Sequence, residues 1–188
     1  MPGNNTPISL YDYPEKLKPA ITRWRVPGWQ AHAIFETVQL NANQIVYQPI
    51  FVSEPTTFIR VAVKVITSKA GETLDLRLFE WNNGVPGALI EDFGNVSLAA
   101  VAIVEIVINR LLPRGYYFLA RRTTSAVGGV LAGIDVAQGF QAPGLGIASA
   151  CGGAFKPILT VTAAWADPAP APTGSQYASE CAIYLREN

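Results

Sequence analysis

The residues best equipped for chemistry lie in one short run, Leu74 to Asp92. Asp75, Glu80, Glu91 and Asp92 supply four carboxylates there. Two carboxylates flanking a glycosidic bond can hydrolyse it, and several, with Asn82 or Asn83 and backbone carbonyls, can hold calcium. The plainer reading is that these charges solvate strand ends. Among them sit Trp81, Asn82 and Asn83, a candidate glycan contact in which the indole stacks on a sugar ring and the amides meet its hydroxyls. Trp81 capping one end of the core is the alternative.

Other constellations are thin. His32 is the only histidine, so a Ser-His-Asp or Cys-His arrangement would have to use it. It falls between Trp29 and Phe35, where an ordinary surface or strand-edge histidine is expected. The Gly-rich region after Ala126 has no Lys before Lys156, and no phosphate-cradling Gly-Lys-Ser/Thr loop occurs. Cys151 and Cys181 stand thirty positions apart, a spacing that fits no zinc or redox motif. They either pair across neighbouring strands or remain two free thiols, and a reducing compartment favours the thiols. We therefore assign no catalytic residue, no metal and no cofactor.

Composition narrows the partners. Lys plus Arg and Asp plus Glu are 14 each, so the formal net charge is zero and no basic footprint for nucleic acid is present. Charged residues are 15% of the chain, below the roughly 25% of ordinary globular domains. So few charges leave part of the outer surface to meet another protein. The most apolar run, Leu98 to Ile108, carries Glu105 and is far shorter than the roughly 20 residues of a membrane-spanning helix. The N-terminal residues lack the basic start and apolar run of a signal peptide, so no secretory leader is expected. The Asn4-Asn5-Thr6 and Asn95-Val96-Ser97 matches to the glycosylation pattern are then fortuitous.

The elements that must position these residues read as strands. Leu74, Leu76 and Leu78 alternate with Asp75, Arg77 and Phe79, a period of two. Asn82-Asn83-Gly84 and Pro86-Gly87 follow as turn signals. Upstream, Phe35 to Leu40 and Ile45 to Val52 are strands, the second placed at an edge or bulge by Pro49. In Phe58 to Ile66, residues Ile59, Val61, Val63 and Val65 face a core and Arg60 and Lys64 face water. A simple meander would make this strand the neighbour of Leu74 to Phe79.

Downstream, Leu89 to Val96, Ala102 to Ile108 and Tyr116 to Ala120 continue the series. Phe155 to Ala164 and Glu180 to Arg186 close it, with Cys181, Ile183 and Leu185 inward. Asp167 to Thr173 is a Pro-rich extended connector, and the Gly-rich region from Ala126 to Gly153 can hold short strands but reads rather as long loops at one end of the sandwich. Short strands with turns between them predict an all-β sandwich or barrel, one domain over residues 27–188. Residues 1–26 form an extended arm, because Pro2, Pro7, Pro14 and Pro19 forbid a long helix. Tyr11, Tyr13 and Trp24, with Trp29 just beyond, give that arm something to bury. It either straps its own domain or docks on a neighbouring subunit.

The order of motifs is similar to a known pattern. LNANQIVYQPIFV, TTFIRVAVKV, LDLRLFEWNNGVPGALI, the Pro-x-Gly-Tyr-Tyr run within Leu112 to Ala120 and a closing AIYLR resemble a β-sandwich domain of tailed-bacteriophage virion structural and tail-fibre proteins. The resemblance covers roughly residues 27–188 and leaves the arm outside. It implies an antiparallel sandwich of jelly-roll type in a virion component without enzymatic activity, forming a homotrimer among other capsid or tail proteins. A tail fibre or receptor-binding module could meet a host-surface glycan, and a capsid decoration protein would cement the head. The resemblance carries over no functional residues.

Overall fold

The computed structural model describes residues 24–25, 35–52, 54–123, 129–134, 158–176, 180–181 and 183–188. Among them the secondary structure is entirely β, and the strands form two antiparallel sheets. In chain order they are β1 (Trp24–Arg25), β2 (Phe35–Gln39), β3 (Gln44–Val52), β4 (Thr56–Thr67), β5 (Thr73–Asn82), β6 (Val85–Ser97) and β7 (Ile103–Leu112). Then come β8 (Gly115–Arg122), β9 (Val130–Ile134), β10 (Ile158–Thr162), β11 (Gly174–Gln176), β12 (Glu180–Cys181) and β13 (Tyr184–Glu187). No described helix is long and apolar enough to cross a membrane.

The six-stranded sheet runs β11-β10-β3-β8-β5-β6. The seven-stranded sheet is built on β4, which has β7 as one neighbour and β13 and β9 as others. β1 pairs with β13, and β2 and β12 pair with β9. Successive strands mostly alternate between the sheets. Among the described strands, only β1 to β2, β5 to β6, β10 to β11 and β12 to β13 follow one another within one sheet. The meander expected between Phe58 to Ile66 and Leu74 to Phe79 is therefore absent, because β4 and β5 lie in different sheets. Two strands that each bury a row of β-branched or Leu side chains are better covered face to face than edge to edge.

The core fills the space between the sheets. Val61, Val63 and Val65 of β4, Ile108 and Leu112 of β7, and Leu185 of β13 meet Ile50 and Val52 of β3, Leu74, Leu76 and Leu78 of β5, and Leu119 of β8. Ile183 and Leu185 point inward as read from the sequence; the side chain of Cys181, and all of Cys151, lie outside the described residues. The β4 alternation holds from Val61 onward. Before it, the ladder with β7 shifts register between Phe58 and Arg60, and Phe58, not Ile59, enters the core.

One turn expectation and one strand-position expectation are corrected. Pro86-Gly87 lies inside β6 and makes no turn, since Asn83 and Gly84, with φ of 49° and 91°, close the β5–β6 hairpin alone. Consecutive positive φ values match the right-handed twist of the two strands. Gly87 instead permits close approach, because a Cβ there would stand 3.2 Å from Asn82 Cβ and 3.4 Å from Glu80 Cβ. Pro49 lies within an interior strand. It pairs with Phe118 of β8, and the described part of β10 flanks only Gln44 to Tyr47.

Candidate functional site

Strands β3, β8 and β5 are apolar on both faces, and this creates a second layer outside the sandwich core. Even-numbered Leu74, Leu76 and Leu78 go inward, so Phe79 and Trp81 go outward, as do Tyr47 and Phe51 of β3 and Tyr116, Phe118 and Ala120 of β8. Their rings touch in sequence across the sheet. Tyr47 meets Phe79 and Phe118 edge-on at centroid distances of 5.7 and 6.4 Å. Trp81 stacks on Phe118 at 4.9 Å with the planes 5° apart, and Tyr116 lies 5.2 Å from Trp81 and 4.7 Å from Phe51.

Residues 163–173 cover part of this row. They form the excursion of the β10–β11 hairpin, closed at its base by Thr173 N–H donating to Thr160 O at 2.9 Å. A Pro-rich segment makes few hydrogen bonds within itself, so its polar groups find partners in the sheet below. Arg122 Nε of β8 donates to Ala163 O at 2.9 Å, and the Tyr47 hydroxyl of β3 donates to Pro170 O at 3.3 Å. At the far edge Ala169 N–H donates to Gly87 O, and Leu89 N–H of β6 to Asp167 Oδ1, both at 3.0 Å. The strap thus reaches from one side of the sheet to the other. Trp165 anchors its middle, stacked over Phe79 at 6.1 Å, its Nε1 donating to Asp75 Oδ2 at 3.4 Å and the Arg77 guanidinium 4.6 Å from its ring centre.

Beyond the strap the row ends in a half-buried platform of Phe51, Tyr116 and Trp81 beside the Asn83-Gly84 turn. Chemically this is a stacking surface with a polar turn at its rim. Trp81 belongs to it, but Asn82 does not, because successive strand residues leave opposite faces; Asn83 occupies the turn. The indole is also engaged by Phe118.

The four carboxylates of the same stretch do not converge. Asp75 accepts from Trp165, while Asp92 pairs with Arg77 at 2.6 Å and accepts from Gly94 N–H at 2.9 Å. Glu91 stands 3.4 Å from Arg110 Nε of β7, and Glu80 is exposed. Among the described residues no three His, Cys, Asp or Glu side chains cluster as metal ligands. Of the arm residues, Trp24 lies on β1 with its backbone opposite Arg186 of β13; Tyr11, Tyr13 and Trp29, like His32, lie outside the described residues.

Sequence reasoning missed Trp165, Phe51 and the strap. The signal was present in QIVYQPIFV, where Tyr47 and Phe51 fall on the face opposite Val46, Ile50 and Val52. A strand apolar on both faces must be covered twice. No protein-family model and no curated protein sequence matches this chain.

Proposed function

We propose that the chain is a non-enzymatic structural protein of a bacteriophage virion, a small sandwich of tail-fibre or accessory type held among other virion proteins. One observation carries its assembly role. The outward side of β7 presents Ile103, Val107 and Leu111 to solvent on a chain with few charges. Apolar side chains grouped on one strand mark a surface intended for another protein. The order of motifs supports the virion setting, and the alternation of strands between sheets supports the jelly-roll type. Capsid decoration is the alternative placement. Electron microscopy of particles carrying a C-terminal tag, decorated with anti-tag gold, is expected to label tails. Label on heads would move the protein to capsid decoration, and label on neither would remove the virion reading.

The platform favours a second reading, a glycan-contacting module. Half-buried Trp81 and Tyr116 offer stacking area beside the polar turn. On this reading Trp81→Ala abolishes binding on a glycan array that the unmodified chain passes, and equal binding by the two proteins rejects it.

A further inference from the structure

We infer that this chain pairs with a second copy of itself through strand β7, across a two-fold axis passing at Val107. Two of the described strands end the sheets on one side of the sandwich. Among the described residues β6 ends the six-stranded sheet and β7 ends its side of the seven-stranded one, with Glu91 and Arg110 meeting between them. An open strand edge invites pairing, and proteins that remain monomeric block such edges with bulges, prolines, charges or a covering segment.

β6 carries every one of these devices. Pro86 lies in it, its ladder with β5 shifts register at three places, Gly94 takes a φ of 87°, and Glu91 and Asp92 add charge. The strap also occupies its outer groups at Gly87 O and Leu89 N–H. β7 is less protected: it has no proline, its charges are Glu105 and Arg110, and its ladder with β4 shifts register once, between Val107 and Arg110. Its described partner is β4 alone, its outward side chains are Ile103, Glu105, Val107, Asn109 and Leu111, and the three apolar ones are 61%, 72% and 58% exposed. Glu105 is matched by Arg60 of its own chain at 3.6 Å and so guards the edge weakly.

The occupant follows from register. With the axis at Val107, Ile103 faces Leu111 of the second copy, Glu105 faces Asn109, and Val107 faces its own equivalent. All five outward positions find a matched partner. An axis at Glu105 would oppose two carboxylates and leave Leu111 without a strand partner, and an axis at Asn109 would leave Ile103 without one. On the other face the same register sets half-buried Ile106 against Ile108. β7 is about 34 Å long, and an edge two sheets thick gives a face on the order of 700 Å² per copy. This approaches the roughly 800 Å² per partner of a stable complex. The inference rests on the sheet edge and not on the virion reading, so gold labelling can fail while the dimer stands.

Size-exclusion chromatography with light scattering on the full chain tests it. The unmodified protein is expected at twice its 20.2 kDa chain mass. Val107→Lys and Val107→Glu each place like charges at the axis and are expected to run as monomers with unchanged circular dichroism, since the side chain is exposed. Mixing the two restores the dimer. Asn109→Lys, opposite Glu105 of the second copy, is expected to tighten dissociation by roughly fivefold. A monomeric or trimeric unmodified protein, a dimer that survives Val107→Lys, or an Asn109→Lys dimer of unchanged affinity would each overturn the proposal.

Discussion

At the scale of single residues, Tyr47 shows how the second apolar layer is held. Its ring is wholly buried between Phe79 and Phe118, and its hydroxyl reaches the strap at Pro170 O. Burial pushes the phenol far above the ordinary tyrosine value of 10.0. Below pH 10 the group is protonated folded or unfolded, so it makes stability no more pH-dependent. Above pH 10 the unfolded chain ionises and the folded one does not; the unfolded state then binds fewer protons, and stability falls as pH rises. Tyr47→Phe is expected to lose about 1 kcal/mol at neutral pH with its hydrogen bond. It should also remove about 1.4 kcal/mol per pH unit of the alkaline decline. Urea denaturation between neutral pH and pH 11 checks both, and an unchanged alkaline slope would contradict the assignment. Tyr117 adds to the same decline: burial raises it, Arg110 opposes the rise, and Glu80 adds to it.

At the scale of elements, the strap behaves as a third layer pinned chiefly by Trp165. Its stack on Phe79, its bond to Asp75 and the Arg77 guanidinium over its ring are three separate contacts. Trp165→Ala removes all of them and is expected to cost about 2 kcal/mol, less than a fully buried Trp because the ring is half-exposed. The distinguishing readout is local. Amide exchange at Leu89 and Ala169, whose N–H groups join strap to β6, should accelerate well beyond the global change, while Val61 and Val63 of β4 follow global stability alone. Uniform acceleration would mean that the strap and the sandwich unfold as one. The longer strands were legible in the sequence because alternation survives any topology, whereas β9 lay hidden in a Gly-rich region read as loops. The Pro-rich connector was legible as extended, but its path over Tyr47 and Phe79 was not, since nothing local to DPAPAPT states which face it covers.

At the scale of the molecule, assembly is a matter of which edges remain open. A homotrimer of the kind implied by the resemblance needs two different surfaces repeated around a ring, whereas β7 offers one surface that complements itself. The mass in solution therefore discriminates between the two geometries. The sequence by itself determined most of the longer strands, the Asn83-Gly84 reversal and the all-β class, because the period of two and the tolerance of positive φ are local properties, but it placed β1 in an arm and β9 in a loop region and did not foresee β11. Only the tertiary structure decided that β4 and β5 lie in opposite sheets, that Arg77 holds Asp92 while Trp165 holds Asp75, and that, among the described residues, β7 pairs with β4 alone while β6 is strapped. These are non-local choices. They depend on which apolar faces can be covered together, and the contacts that settle it join residues far apart along the chain, such as Leu89 and Asp167.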